Sequence, residues 1–393
     1  MAFPLLGFAA FVVFGVLLVL VGANQDALAK SLEMDLARSG LLGAAFALGA
    51  GVGVTGAGPV VDRLPRRPLF VVSLLASAAA LLSLDASATF ARAFLHMLAL
   101  GAGAGFYDTL LNAVAIQDGN ARGEASLGRR LAFLHAGATL GAVGGPPLVA
   151  VLASRGGWAS SFHAAGYALL ALAAWAAVVP LPAPSERRAA SGAVLAPSRS
   201  LASFPLLALC AVGFAYVGVE TALTVFAVPW ARAHGLPQER GQLAISALWL
   251  GLLAGRLGML GAGRSLGTRF LAMAGLAGGG VLGLALVLGS PRIELVMALV
   301  GVALGAVYPA MIGLTGTRFP EKSGTAAGLV AGAGAAGGFA VPWLAGALGD
   351  AAGLALGLGA VALFGFAIAG AAHGLRLRDR ALARAERFKL ESA

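Results

Sequence analysis

Three carboxylates stand where water does not reach. The chain has 17 Asp and Glu residues, most of them in polar segments, but Asp26, Asp108 and Glu220 fall inside long apolar runs. In hydrocarbon, a carboxylate at the centre of such a run costs about 2.5–3.5 kcal/mol even on the most lenient insertion scale, so each must face a polar interior. Helical spacing of three or four puts Asn112 on the face of Asp108, and Tyr216 and Thr224 on that of Glu220. Asn24 and Gln25 adjoin Asp26, and His135 and Thr139 lie four apart in another apolar run. Acids so placed mark ion and proton paths, and a neighbouring His can join such a relay. Asp26, Asp108, Glu220 and His135 are therefore the candidate ion-coupling residues.

The elements that must hold these groups follow from composition. Apolar residues make up 59% of the 393 and charged ones 11%, against about 25% charged in a soluble protein, so the excess needs lipid to face. A bilayer core about 30 Å thick takes roughly 20 apolar residues per helix. Apolar runs predict twelve spans, near 3–29, 40–61, 68–88, 90–117, 130–153, 160–181, 203–230, 243–263, 267–288, 292–317, 323–348 and 352–375. The first run lacks the basic leader of a secretory signal and is read as a span. The Pro-, Ser- and Arg-rich stretch 182–202 reads as a linker. The expected organisation is a six-helix bundle over 1–181, the linker, a second bundle over 203–375 and a basic tail over 376–393. The lone Cys210 excludes an internal disulfide and a cysteine metal cluster, and no metal or other cofactor is expected.

The net charge of +10 is a matter of topology rather than of nucleic-acid binding. Among the 27 Lys and Arg residues, only Lys30, Arg38, Arg92, Arg155, Arg232, Arg240 and Arg292 fall in one set of loops. The rest crowd the opposite loops and the tail, which the positive-inside rule assigns to the cytoplasm together with both termini. The expected location is the cell (inner) membrane, multi-pass and monomeric. Weak internal symmetry supports two halves: Asp62-Arg63 recurs as Gly255-Arg256, Tyr107 as Tyr308 and Pro146 as Pro342, each about half a chain later. The 58 glycines concentrate inside spans, where small residues let helices approach closely.

The loop between spans two and three reads GPVVDRLPRRP, with Gly58, Asp62, Arg63, Arg66 and Arg67. This resembles the loop motif of the major facilitator superfamily, with Pro65 where a Gly is usual. The resemblance implies an all-α fold of twelve transmembrane helices in two pseudo-symmetric bundles, with Asp62, its basic neighbours and Arg256 biasing a cytoplasmic gate. Within that superfamily, GANQDAL (22–28), GAGFYDTLLN (103–112), LHAGATLGAVGGP (134–146), YVGVE (216–220) and SALWLGLLAGR (246–256) resemble the fucose:proton symporter family. By that resemblance Asp26 and Asp108 couple solute to ion, and Asn24 and Asn112 contact substrate. Asp108 stands where fucose-specific members have Glu, as in members that resemble sodium-dependent glucose transporters.

The expectation is a secondary active transporter moving a small polar solute, a monosaccharide, by proton or sodium symport. Asn24, Gln25, Tyr107, Asn112, Thr139, Tyr216, Trp249 and Tyr308 are its candidate substrate contacts. The rival is a proton-coupled exporter of drugs or small amphipathic metabolites on the same fold, which a roomy apolar cavity would favour over a polar cluster. An enzyme is not expected. Tyr107-Asp108 matches half of an intramembrane aspartyl protease site, but the Gly-x-Gly-Asp half fails at GALGD (346–350), where Ala347 replaces Gly.

Overall fold

The computed structural model describes residues 2–61, 63–120, 124–182, 203–261, 267–319 and 323–391. The described residues are all-helical: α1 (Ala2–Ala23), α2 (Gln25–Ser31), α3 (Leu36–Val61), α4 (Arg66–Leu82), α5 (Phe90–Asn120), α6 (Glu124–Val178), α7 (Phe204–Ala233), α8 (Gln238–Gly261), α9 (Thr268–Val287), α10 (Ile293–Leu304), α11 (Val307–Arg318), α12 (Ser323–Ala352) and α13 (Leu354–Glu391). They form twelve spans in two bundles, α1 to α6 and α7 to α13. α6 carries two spans, because Gly157 at φ 70° turns the chain where a side chain would be strained. Asp62 and nearly all of the expected linker lie outside the described residues.

Two expected spans are interrupted. The first ends at Ala23, so Asp26 falls on the separate short α2 beyond the long apolar run rather than within it. The tenth breaks at Gly305 and Ala306 between α10 and α11. Pro309 explains that break: it has no N–H to offer the Gly305 carbonyl four residues earlier, and a helix cannot close there. Nε of Arg256 on α8 donates to that carbonyl instead, at 3.2 Å. Pro147 likewise strands the Val143 carbonyl of α6, which accepts from Ser246 Oγ of α8 at 2.8 Å. Carbonyls freed in a membrane interior thus find partners on the neighbouring helix.

Glycine sets the helix spacing, and it does so alike in both halves. A methyl at Gly49 would strike the Leu98 carbonyl and one at Gly101 that of Phe46, so α3 and α5 meet backbone to backbone. In the second half Gly251 meets the Ala298 carbonyl and Gly301 that of Leu248, joining α8 to α10. Gly15 and Gly141 do the same for α1 and α6, against the carbonyls of Ala138 and Val12.

Between the bundles, α3 packs most heavily on α12, with α6 on α8 and α1 on α7. The first residues of α3 touch the last turns of α12: Gly40 lies on the Pro342 carbonyl and Gly346 on that of Leu36. Further along α3 and earlier along α12 the two helices line a cavity instead. The face away from the termini is therefore sealed, and the cavity reaches toward the face that carries them.

Candidate functional site

The cavity encloses about 900 Å³ between the bundles. From the first half it takes Phe14 to Gly22 of α1, Gly43 to Thr55 of α3, and Asp108 of α5; from the second, Glu220 and its neighbours on α7, Trp249 of α8, Tyr308 of α11, and Gly328 to Ala335 of α12. Two carboxylates thus face one space from opposite bundles. Each is held by its own helix. Asn112 Nδ2 donates to Asp108 Oδ1 at 3.1 Å, and Tyr216 Oη donates to Glu220 Oε2 at 2.7 Å. Thr224 Oγ1 donates to the Glu220 carbonyl at 2.9 Å.

Arg256, expected as a gating residue, lies in the interior within electrostatic reach of Glu220, Tyr216, Tyr308 and His135. One positive charge therefore stands near the Glu220 carboxylate. His135 stands edge-on to Phe11 at 5.1 Å, and its carbonyl accepts from Thr139 Oγ1 at 3.2 Å. Tyr216 stacks at a tilt on Tyr308, centroids 6.0 Å apart. The Trp249 indole N–H is buried without a partner among the described residues and borders the cavity. Buried donors normally have partners, so this one is available to a solute or a water.

Apart from Thr55, Thr221 and Thr224, the rest of the wall is apolar. Phe14, Leu17, Leu18, Val21, Phe46, Val54, Val217, Val225 and Leu329 line it, and the α12 side is glycine and alanine. Methyls added at Gly328 and Gly332 would meet nothing, so the space there is set by missing side chains. None of the expected amides lines the cavity. Asn24 is buried, donating from Nδ2 to the Leu20 carbonyl and to Ser161 Oγ, both at 2.9 Å. Asn112 is engaged by Asp108, and Tyr107 is packed between Phe14 and Phe70 with its hydroxyl buried.

Asp26 and Gln25 lie elsewhere, in a pocket of about 430 Å³ on the sealed face. Arg232 of α7 donates to Asp26 Oδ2 at 2.9 Å, and Lys30 reaches the same oxygen at 3.3 Å. Burial alone would raise the Asp26 pKa; the hydrogen bonds from Arg232 and Lys30 outweigh it and hold the carboxyl below its ordinary value. Of the expected gating loop, Arg66 is buried and bonded to Gln117 and to the Val61 carbonyl, while Arg63 and Arg67 are exposed. Gly58 lies in α3, and the pairing expected of Asp62 falls outside the described residues. The sequence reading missed Thr221, beside Glu220 in the cavity wall, and the cross-bundle partner Arg232.

Two six-helix bundles around a central cavity, with ionisable groups facing in from both, have the architecture of a membrane transport protein. The Major Facilitator Superfamily profile matches residues 6–342, and the chain belongs to that superfamily. It is a multi-pass membrane protein. Solved structures agree on the fold. A variant of the nucleoside transporter NupG superposes with a TM-score of 0.75 at 13% identity, covering 96% of this chain and 98% of that one. A bacterial homologue of the human lysosomal transporter Spinster, inward-facing and unoccupied, gives 0.73 at 14%, covering 94% and 95%. A D-xylose-proton symporter gives 0.72 at 15%, covering 94% and 96%. No curated protein matches the chain in sequence.

Proposed function

We propose that this chain is a proton-coupled transporter of small amphipathic solutes, of neutral or cationic character, working by alternating access and exporting them from the cytoplasm. The observation that carries the reading is the cavity itself: mostly apolar, with three threonines and no amide among the described lining residues, and with Asp108 and Glu220 entering it from opposite bundles. Sugar sites need several amides around an aromatic platform, whereas a greasy wall with a few placed charges suits an amphipath. Arg256 offsets one carboxylate, leaving the site one negative charge to be met by a proton or by the solute's own cation. Neutralising that remaining charge lowers the cost of excluding water, so proton binding and the swing of the bundles are linked. With the basic loops and both termini in the cytoplasm of an inner-membrane protein, the cavity faces inward in this state.

Symport of a monosaccharide with protons or sodium is the second reading. The free Trp249 N–H beside Tyr308 favours it, since together they offer a sugar ring a donor and an aromatic face. The segments that resemble the fucose:proton symporter family favour it too. Proteoliposomes with an imposed pH gradient, with and without sodium, separate the two. Gradient-driven movement of a fluorescent lipophilic cation, abolished by a protonophore, supports the first; accumulation of a labelled monosaccharide with no effect on the cation establishes the second.

A further inference from the structure

The GALGD segment at the end of α12 is accounted for by neither the cavity nor any catalytic pattern, yet every polar atom of its aspartate is used. Asp350 Oδ1 accepts the Leu36 N–H at 2.9 Å and Oδ2 accepts the Ala37 N–H at 2.8 Å. These are the first two amides of α3, which belongs to the other bundle. The third, of Arg38, goes to Asp35 Oδ1 at 2.7 Å, and the fourth, of Ser39, to the Asp35 carbonyl at 3.0 Å. The first three amides of α3, which have no helical partner, are thus filled by two aspartates, one local and one from across the interface, and the Ser39 bond is the first ordinary one of the helix. A carboxylate there also meets the positive end of the helix dipole.

The glycines of the segment make this reach possible. Gly346 lies on the Leu36 carbonyl, and a methyl at Gly349 would come within 2.9 Å of the Leu36 side chain. A larger residue at Gly346 would push α3 away from the Asp350 carboxylate, and one at Gly349 would make the tip of Leu36 turn aside.

We infer that Asp350 is the latch of the sealed face: its cap on α3 sets the cavity-open-to-termini state as the resting state, and breaking the cap is a step of each transport cycle. The bonds cross from one bundle to the other, so they cannot survive when this face opens. The Leu36 and Ala37 amides must then turn to water. Asp350 is a positioning residue, acting through the helix it caps and touching no solute.

The test reads the distance between bundles and needs no substrate, so its failure leaves the proposed solute class untouched. Spin labels at Ser87→Cys and Glu239→Cys, in a Cys210→Ser background, report separation across the sealed face. In the otherwise unaltered chain the short distance dominates. Asp350→Ala should raise the ratio of long to short distance about tenfold, the scale of losing a charged cap. Asp350→Asn, which keeps one accepting oxygen, should fall between. Asp35→Ala removes a cap from the same helix end without touching the other bundle and should leave the distribution in place. Should Asp350→Ala fail to fold, Leu36→Pro removes one donor at a first-turn position that tolerates proline and should shift the ratio in the same direction. An unchanged distribution in the foldable variants, or an equal shift from Asp35→Ala, would overturn the latch.

Discussion

Tyr216 donates its hydroxyl to Oε2 of Glu220 at 2.7 Å from one turn away on α7, and Arg256 approaches the same group from α8. The carboxylate thus has a partner on its own helix and a counter-charge on the next. Hydrogen bonds to charged groups are worth about 1.5–3 kcal/mol. Tyr216→Phe should therefore lower transport at least about tenfold while the protein still folds, and Glu220→Gln should abolish gradient-driven movement. Assays of both variants in proteoliposomes check this; full accumulation by Glu220→Gln would remove Glu220 from the coupling path.

Asp108 answers Glu220 from the first bundle. Asp108→Asn should uncouple, so that solute still equilibrates by exchange but is no longer driven by a pH gradient. Measuring exchange and driven flux on the same vesicles separates a coupling role from a packing role, in which both would fall together.

Trp249 presents a buried N–H with no partner among the described residues. Trp249→Phe keeps most of the apolar surface and removes that donor. A neutral hydrogen bond contributes about 0.5–1.5 kcal/mol, so KM should rise roughly three- to tenfold with the maximal rate little changed. An unaltered KM would mean that the donor faces water throughout the cycle.

Asp26 gives a prediction in pH. Its folded-state pKa lies below the ordinary carboxylate value because the bonds from Arg232 and Lys30 outweigh its partial burial. A depressed pKa contributes stability that is present above the unfolded value and is lost as pH falls through the folded one. The stability difference between the parent chain and Asp26→Asn should be flat from pH 5 to 8, at most about 1 kcal/mol for so exposed a pair, should begin to fall near the ordinary carboxylate pKa of about 4, and should vanish only below the lower folded-state pKa. Melting in detergent across that range is the measurement, and a slope between pH 5 and 8 would contradict the assignment.

Gly141 and Gly144 make a matched pair on α6. A side chain at Gly141 strikes the Val12 carbonyl, whereas one at Gly144 meets nothing. Overpacking costs about 1–3 kcal/mol, so Gly141→Val should lower the melting temperature by several degrees, and Gly144→Ala should hold it or raise it.

The twelve spans were legible because lipid imposes them: each needs one long apolar run, and loops must be polar. The break in the tenth span was missed although its cause was in view, since Pro309 denies Gly305 a donor. Asp26 was placed in the first span because the apolar run continues past Asn24, where the helix ends. The site was half legible. Spacing along one helix correctly joined Asp108 to Asn112 and Glu220 to Tyr216, because neighbours three or four apart share a face. It could not say which face meets the other bundle, so Asn24 and Gln25 were expected in a cavity they do not line. Arg232 and Asp350 pair with residues more than 200 positions away, and no local pattern announces such a contact.

The α12 wall of the cavity is built from the absence of side chains. Where Gly328 and Gly332 stand, an added methyl would project into open space without disturbing any neighbour. Small codon changes at those two positions can thus narrow the chamber while leaving the fold and the ionisable groups as they are. Selectivity by size is therefore open to rapid adaptation in this chain, separately from its energetics, and a lineage pressed by a new compound would be expected to change there first.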